Sequence, residues 1–153
     1  SCAISKDYNK SKPLCDDFIN RWSSHSLLVN KWLALQVASS DTPTLEIVKE
    51  LERHPLFDIK NPNKMRALLG SFARNLPQFH SMDGKSYSYY ISKVIEIDSF
   101  NPSIASRLVQ AFKQIQKYPM PLKEMAEKEL SKILDNTKSS KNIVEVTTKL
   151  LGR

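Results

Sequence analysis

The chain marks two helix starts with the same device. Asn61-Pro62-Asn63-Lys64-Met65-Arg66-Ala67-Leu68-Leu69 and Asn101-Pro102-Ser103-Ile104-Ala105-Ser106-Arg107-Leu108 each set an asparagine, a proline and then an arginine among apolar residues. An asparagine side chain can accept from the free N–H groups of a first helical turn. Proline just inside the start lacks an N–H where none is needed, and its φ already suits the helix. The apolar residues that follow recur at helical spacing: Met65, Leu68, Leu69 and Phe72 in one segment, Ile104, Leu108, Ala111, Phe112 and Ile115 in the other. The middle of the chain is thereby committed to helices that each bury one face. With only three glycines in 153 residues and few alternating β-branched runs, a sheet is disfavoured.

The remaining segments read the same way. Leu14 to Trp22 is a short amphipathic stretch with Phe18, Ile19 and Trp22 on one face, and His25 to Ala38 is a second helix with a Leu28, Trp32, Leu35 stripe. Thr42 and Pro43 are suited to cap and begin a third, carrying Leu45, Val48 and Leu51. Leu56 and Phe57 are expected to plug their loop into the core. Gly70, inside the helix that ends near Arg74, implies close approach of a neighbour, since glycine costs about 1 kcal/mol there against alanine. Leu76 to Lys85 reads as irregular, broken by Pro77 and anchored by Phe79. Helices follow over Ser86–Phe100, from Pro102 to Tyr118, over Pro121–Leu134 with Glu124, Glu127 and Glu129 outward, and over Asn142–Leu151. About eight helices with short connections predict an all-α fold of antiparallel helix pairs stacked in a short HEAT/armadillo-like superhelix. Apart from the two entrances, the segments do not repeat.

The chemistry-bearing residue types form no reaction centre. His25, His54 and His80 are not paired at ligand spacing, and no zinc motif, Gly-rich phosphate loop or serine elbow occurs. Glu50 with Glu52, and Glu96 with Asp98, are two apart on helices, so each pair diverges. His54 and His80 are expected to serve capping, packing or local hydrogen bonding. Cys2 and Cys15 make no disulfide framework, leaving free thiols or a single pairing open. No stretch is apolar enough to span a bilayer, and the first twenty residues lack the apolar core of a signal peptide.

Charge is placed unevenly. Between Lys60 and Tyr118 lie nine Lys/Arg against three Asp/Glu, which accounts for +6 of the formal +7. A basic region of this kind suits a carboxylate ligand, a polyanion or an acidic partner, and equally a plain solvated surface. Dispersed over several helices and lacking a reading motif, it does not predict a nucleic-acid partner. Arg66 and Arg107 lie at the margins of their buried stripes. Both fall in the first two turns of their expected helices, where the dipole gives a cation no advantage. Each either snorkels over apolar surface or meets a carboxylate with its rigid fork.

A collinear series of segments resembles the carboxy-terminal part of M1-family aminopeptidase N enzymes of the bacterial and apicomplexan type. It runs through Phe18-Ile19-Asn20-Arg21-Trp22, Lys31-Trp32-Leu33-Ala34-Leu35-Gln36 and His54-Pro55-Leu56-Phe57-Asp58-Ile59-Lys60 into the first entrance. It continues with Phe79-His80, Asp83-Gly84, the second entrance and Ile143-Val144-Glu145-Val146-Thr147-Thr148-Lys149-Leu150. The resemblance implies that residues 14–153 are the carboxy-terminal helical domain of such an enzyme, behind an amino-terminal lead of residues 1–13. It implies a complete enzyme that uses zinc, bound outside this chain, to release amino-terminal residues from peptides. Its implied partners are an upstream thermolysin-like catalytic domain, whose active-site chamber this part closes, and peptide substrates. Residues matching Arg66 and Arg107 line the chamber side, Arg107 being the better candidate for the peptide's carboxylate or backbone. No catalytic or metal-binding residue is expected here, no membrane span, and a cytoplasmic location. Gly84-Lys85-Ser86-Tyr87 departs from the family's frequent Gly-Ser-Gly-Tyr. The other reading is a helical protein-interaction scaffold without catalytic activity.

Overall fold

The computed structural model describes residues 8–39 and 43–153, with side chains from Ser11 onward. All regular structure among the described residues is helical, arranged as stacked antiparallel helix pairs. The chain forms two compact units, one ending at Phe79 and the other His80–Arg153.

In the first unit, α1 is Tyr8–Trp22, α2 Ser26–Gln36, α3 Thr44–Glu52, α4 Pro62–Arg74 and α5 Leu76–Phe79. Helix α2 packs on α1 and α4, while α4 also meets α3 and α5. The α4 entrance forms as its sequence dictates: Asn61 Oδ1 accepts from the N–H groups of Asn63 at 3.0 Å and Lys64 at 3.2 Å, with Pro62 at the first position. Met65, Leu68, Leu69 and Phe72 are fully buried, and Phe79 closes on Phe72 edge to face at 5.6 Å. The connection from α2 to α3 is held by Asn75, whose Nδ2 donates to the carbonyls of Val37 at 2.9 Å and Ser39 at 2.8 Å. Thr44 Oγ1 donates to the Ser39 carbonyl at 2.9 Å, completing a buried polar knot.

Several expectations for this unit change. On α1 the buried line is Ser11, Cys15 and Ile19, whereas Phe18 and Trp22 are exposed. On α2 it is Val29, Trp32, Leu33 and Gln36, and Leu28 and Leu35 are only half-buried. Both helices are apolar over more than one line, so periodicity alone cannot select the covered one. Pro43 stands at the cap position of α3, which begins at Thr44; Thr42 lies outside the described residues, as does Cys2, while Cys15 is a buried free thiol. Leu56 and Phe57 are half-buried. Gly70 admits no close neighbour: a Cβ added there would meet nothing within 4 Å. Pro77 lies within the short α5, near its start, where proline is tolerated.

In the second unit, α6 is Lys85–Asp98, α7 Pro102–Val109, α8 Met120–Asp135 and α9 Lys141–Leu151. Helix α6 packs on α7 and α8, and α9 packs on the same two. Gly84 precedes α6 with φ of 68°, in the left-handed region where glycine carries no steric cost. Asn101 Oδ1 accepts from the Ile104 N–H at 3.2 Å. Helix α7 is shorter than its apolar stripe suggests. It passes at Gln110 into 3₁₀ turns over Gln110–Phe112 and Ile115–Lys117, which still bury Phe112 and Ile115. Such tightening is common at helix ends. Glu129 does not face outward: it is 9% exposed and accepts from Lys132 Nζ at 2.6 Å, while Ala126, Leu130 and Ile133 make the buried face of α8. Asp98 is buried at the end of α6, accepting from Ser140 N at 2.7 Å and Ser140 Oγ at 2.6 Å. Ser140 caps α9, so this carboxylate ties the end of one helix to the start of another.

Candidate functional site

The two entrances place the arginines differently. Arg66 follows the Asn61 cap by five residues and is exposed, and its Nε donates back to the Pro62 carbonyl at 3.2 Å. The side chain therefore runs along its own helix, and its terminal nitrogens form no ion pair among the described residues. Arg107 is also exposed and has neither a hydrogen bond nor an ion pair among the described residues. Because α7 stops at Val109, little more than two turns long, Arg107 stands in its last turn while still within its first two. A last-turn position also brings a cation to the favourable end of the helix dipole, which the longer expected helix did not offer. Arg66 belongs to the unit ending at Phe79 and Arg107 to His80–Arg153.

The histidines act locally. His54 Nδ1 accepts from the Leu56 N–H at 3.2 Å, and its ring lies 5.0 Å from that of Trp32. His80 Nδ1 meets the Tyr87 hydroxyl at 2.5 Å, with the Tyr118 ring 4.7 Å away. Burial holds His80 below the usual imidazole range and pushes Tyr87 and Tyr118 above the usual phenol range. A half-buried neutral histidine between two protonated tyrosines is a packing group with a satisfied hydrogen bond.

An open groove of about 320 Å³ in the second unit is lined by Asp83, Lys85, Ser88, Met125, Lys128 and Glu129. The Asp83 carboxyl is held low by the Ser81 hydroxyl and the Lys85 N–H, and Glu129 is engaged by Lys132. Both carboxylates are committed to these neighbours, and no histidine or cysteine lines the groove. Among the described residues no three His, Cys, Asp or Glu side chains converge to hold a metal ion, so they do not fit a zinc site. No helix among them is long and apolar enough to cross a membrane. Arg66 and Arg107, like Arg53 and Arg153, are exposed guanidinium groups, each capable of forking a carboxylate. Residue types alone did not expose the Asp98–Ser140 tie; the signal was an acidic residue ending an apolar helix face.

Comparison with known proteins gives these features a setting. Residues 1–152 match a family described as "Domain of unknown function (DUF3458_C) ARM repeats". Aminopeptidase N of Caulobacter vibrioides is 33% identical over 138 residues, covering 90% of this chain and 16% of that protein. Aminopeptidase N of Escherichia coli is 30% identical over 153 residues, covering 99% of this chain and 18% of that protein. A crystal structure of Legionella pneumophila aminopeptidase A in complex with aspartic acid superposes with a TM-score of 0.91 at 29% identity, over 99% of this chain and 18% of that one. The chain thus spans less than a fifth of the length of the relatives it matches, in their carboxy-terminal portion. With its all-helical pairs and its match over residues 1–152, the chain belongs to this family of ARM-repeat domains and shares ancestry with the M1 aminopeptidases.

Proposed function

We propose that this chain is the carboxy-terminal helical domain of a zinc aminopeptidase that releases amino-terminal residues from peptides. In this reading it closes the active-site chamber, with Arg107 and Arg66 as electrostatic guides for the peptide. The supporting observation is coverage: the whole chain aligns with under a fifth of much longer aminopeptidases. This reading assigns zinc and the bond-breaking groups to the rest of the polypeptide; the described residues offer no metal cage. Zinc there would supply an activated water; this chain's contribution is steric and electrostatic. Arg107 suits the guiding role because its guanidinium is exposed, uncommitted among the described residues, and set by a capped helix start. Arg66 suits it less, since one of its donors is already spent on Pro62.

The test is kinetic. In the complete enzyme, Arg107→Ala is expected to lower kcat/KM for a tetrapeptide by about tenfold, the loss of one charge-assisted contact. A small aminoacyl reporter, too short to reach the residue, should keep its rate. Equal loss on both substrates, or none on either, would remove Arg107 from peptide guidance.

A further inference from the structure

Helix α1 is apolar along two lines. Ser11, Cys15 and Ile19 form the buried one. Leu14, Phe18 and Trp22, spaced four apart, form a second line roughly 100° around the helix, and they are 70%, 37% and 43% exposed. The flanking charges neutralise each other, Arg21 pairing with Asp17 at 3.1 Å. Helix α9 is built differently. Its buried positions are Ile143 and Thr147, and its exposed face carries Lys141, Asn142, Glu145 and Lys149. In stacked-repeat proteins a polar outer face marks a helix that caps the array, and an apolar outer face marks one that needs a neighbour.

We infer that Leu14, Phe18 and Trp22 are a stacking face that receives another helix of the same, longer polypeptide. The occupant is an amphipathic helix presenting an uncharged apolar stripe. A second copy of the chain is the less suitable occupant, because the relatives carry more than four-fifths of their length outside the matched segment. The inference rests on that part of the proposed function which places this chain within a longer protein. It does not depend on the reaction or on either arginine.

The experiment uses the complete protein. With Phe18→Cys, maleimide labelling at residue 18, localised by mass spectrometry, should be at least about a hundredfold slower than in urea. Asn20→Cys, on an exposed position of the same helix, should label rapidly. In the unaltered protein, hydroxyl-radical oxidation of Trp22 should be similarly suppressed, which keeps the test independent of how well Phe18→Cys folds. Labelling of Phe18→Cys as fast as Asn20→Cys, with Trp22 oxidised as in the unfolded protein, overturns the inference. So does protection that vanishes on dilution, which would assign the face to a second copy. An inactive complete protein with a protected stripe would retire the aminopeptidase reading and leave this one standing.

Discussion

The two units solve the same problem with opposite chemistry. Each must hold a helix connection with a buried polar side chain. The unit ending at Phe79 uses the neutral amide of Asn75, which donates to the carbonyls of Val37 and Ser39. The unit His80–Arg153 uses the carboxylate of Asp98, which accepts from the backbone and hydroxyl of Ser140 at the start of α9. An amide serves a connection that presents carbonyls; a carboxylate serves a helix start, whose N–H groups and dipole favour an anion. Charge-assisted bonds are stronger, and a buried charge is costly without them. The second unit therefore has more at stake in one residue.

That difference sets the order of mutational effects. Asp98→Ala should destabilise by about 3 kcal/mol, the upper range for bonds to a charged group, read from the shift in the urea midpoint. Asn75→Ala should cost about 2 kcal/mol, since the buried Val37 carbonyl loses its donor and the Ser39 carbonyl keeps only Thr44. Should Asn75→Ala prove the more damaging, the contrast between the units would be broken. The glycines sharpen it further with effects of opposite sign. Gly84→Ala should destabilise by about 1 kcal/mol, because its φ of 68° is left-handed and Met125 Sδ lies 3.2 Å from an added Cβ. Gly70→Ala should stabilise by somewhat under about 1 kcal/mol, because its Cβ enters open space in a helix interior.

The smallest expected effect is acid sensitivity specific to the second unit. Burial lowers the His80 pKa from 6.5, so the unfolded chain binds its proton more readily than the folded one. The stability this group contributes is complete above 6.5 and is lost as pH falls through its folded value. His80→Gln, which retains an acceptor for Tyr87 but does not titrate, should flatten that part of the stability profile between neutral and mildly acidic pH. An unchanged profile would show that His80 does not govern it.

How much of this could be read beforehand depended on whether a segment offered one solution or several. The α4 helix offered one: a cap, a proline and a single apolar stripe, so its start, its end at Arg74 and its four buried residues all follow from the sequence. Helix α2 offered several, because Leu27, Leu28, Val29, Trp32, Leu33 and Leu35 ring most of its surface and only tertiary packing selects among them. Helix α7 carried a clear start but no stop signal before Tyr118-Pro119, so the 3₁₀ turns were not foreseeable. Glu129 read as solvent-facing from its charge, whereas its Lys132 partner lets it be buried. The arginines were legible as marginal residues of capped helices, and both prove to be exposed. Their setting was not: in the proposed function it depends on the rest of a longer polypeptide.

The central claim is that the reaction belongs elsewhere in the polypeptide and this chain shapes access to it. The most direct measurement combines zinc stoichiometry with aminoacyl-amide hydrolysis on the purified, metal-replete chain. Neither stoichiometric zinc nor turnover is expected, while the complete enzyme should show both. Robust hydrolysis by the chain alone, with one zinc bound per molecule, would contradict the account.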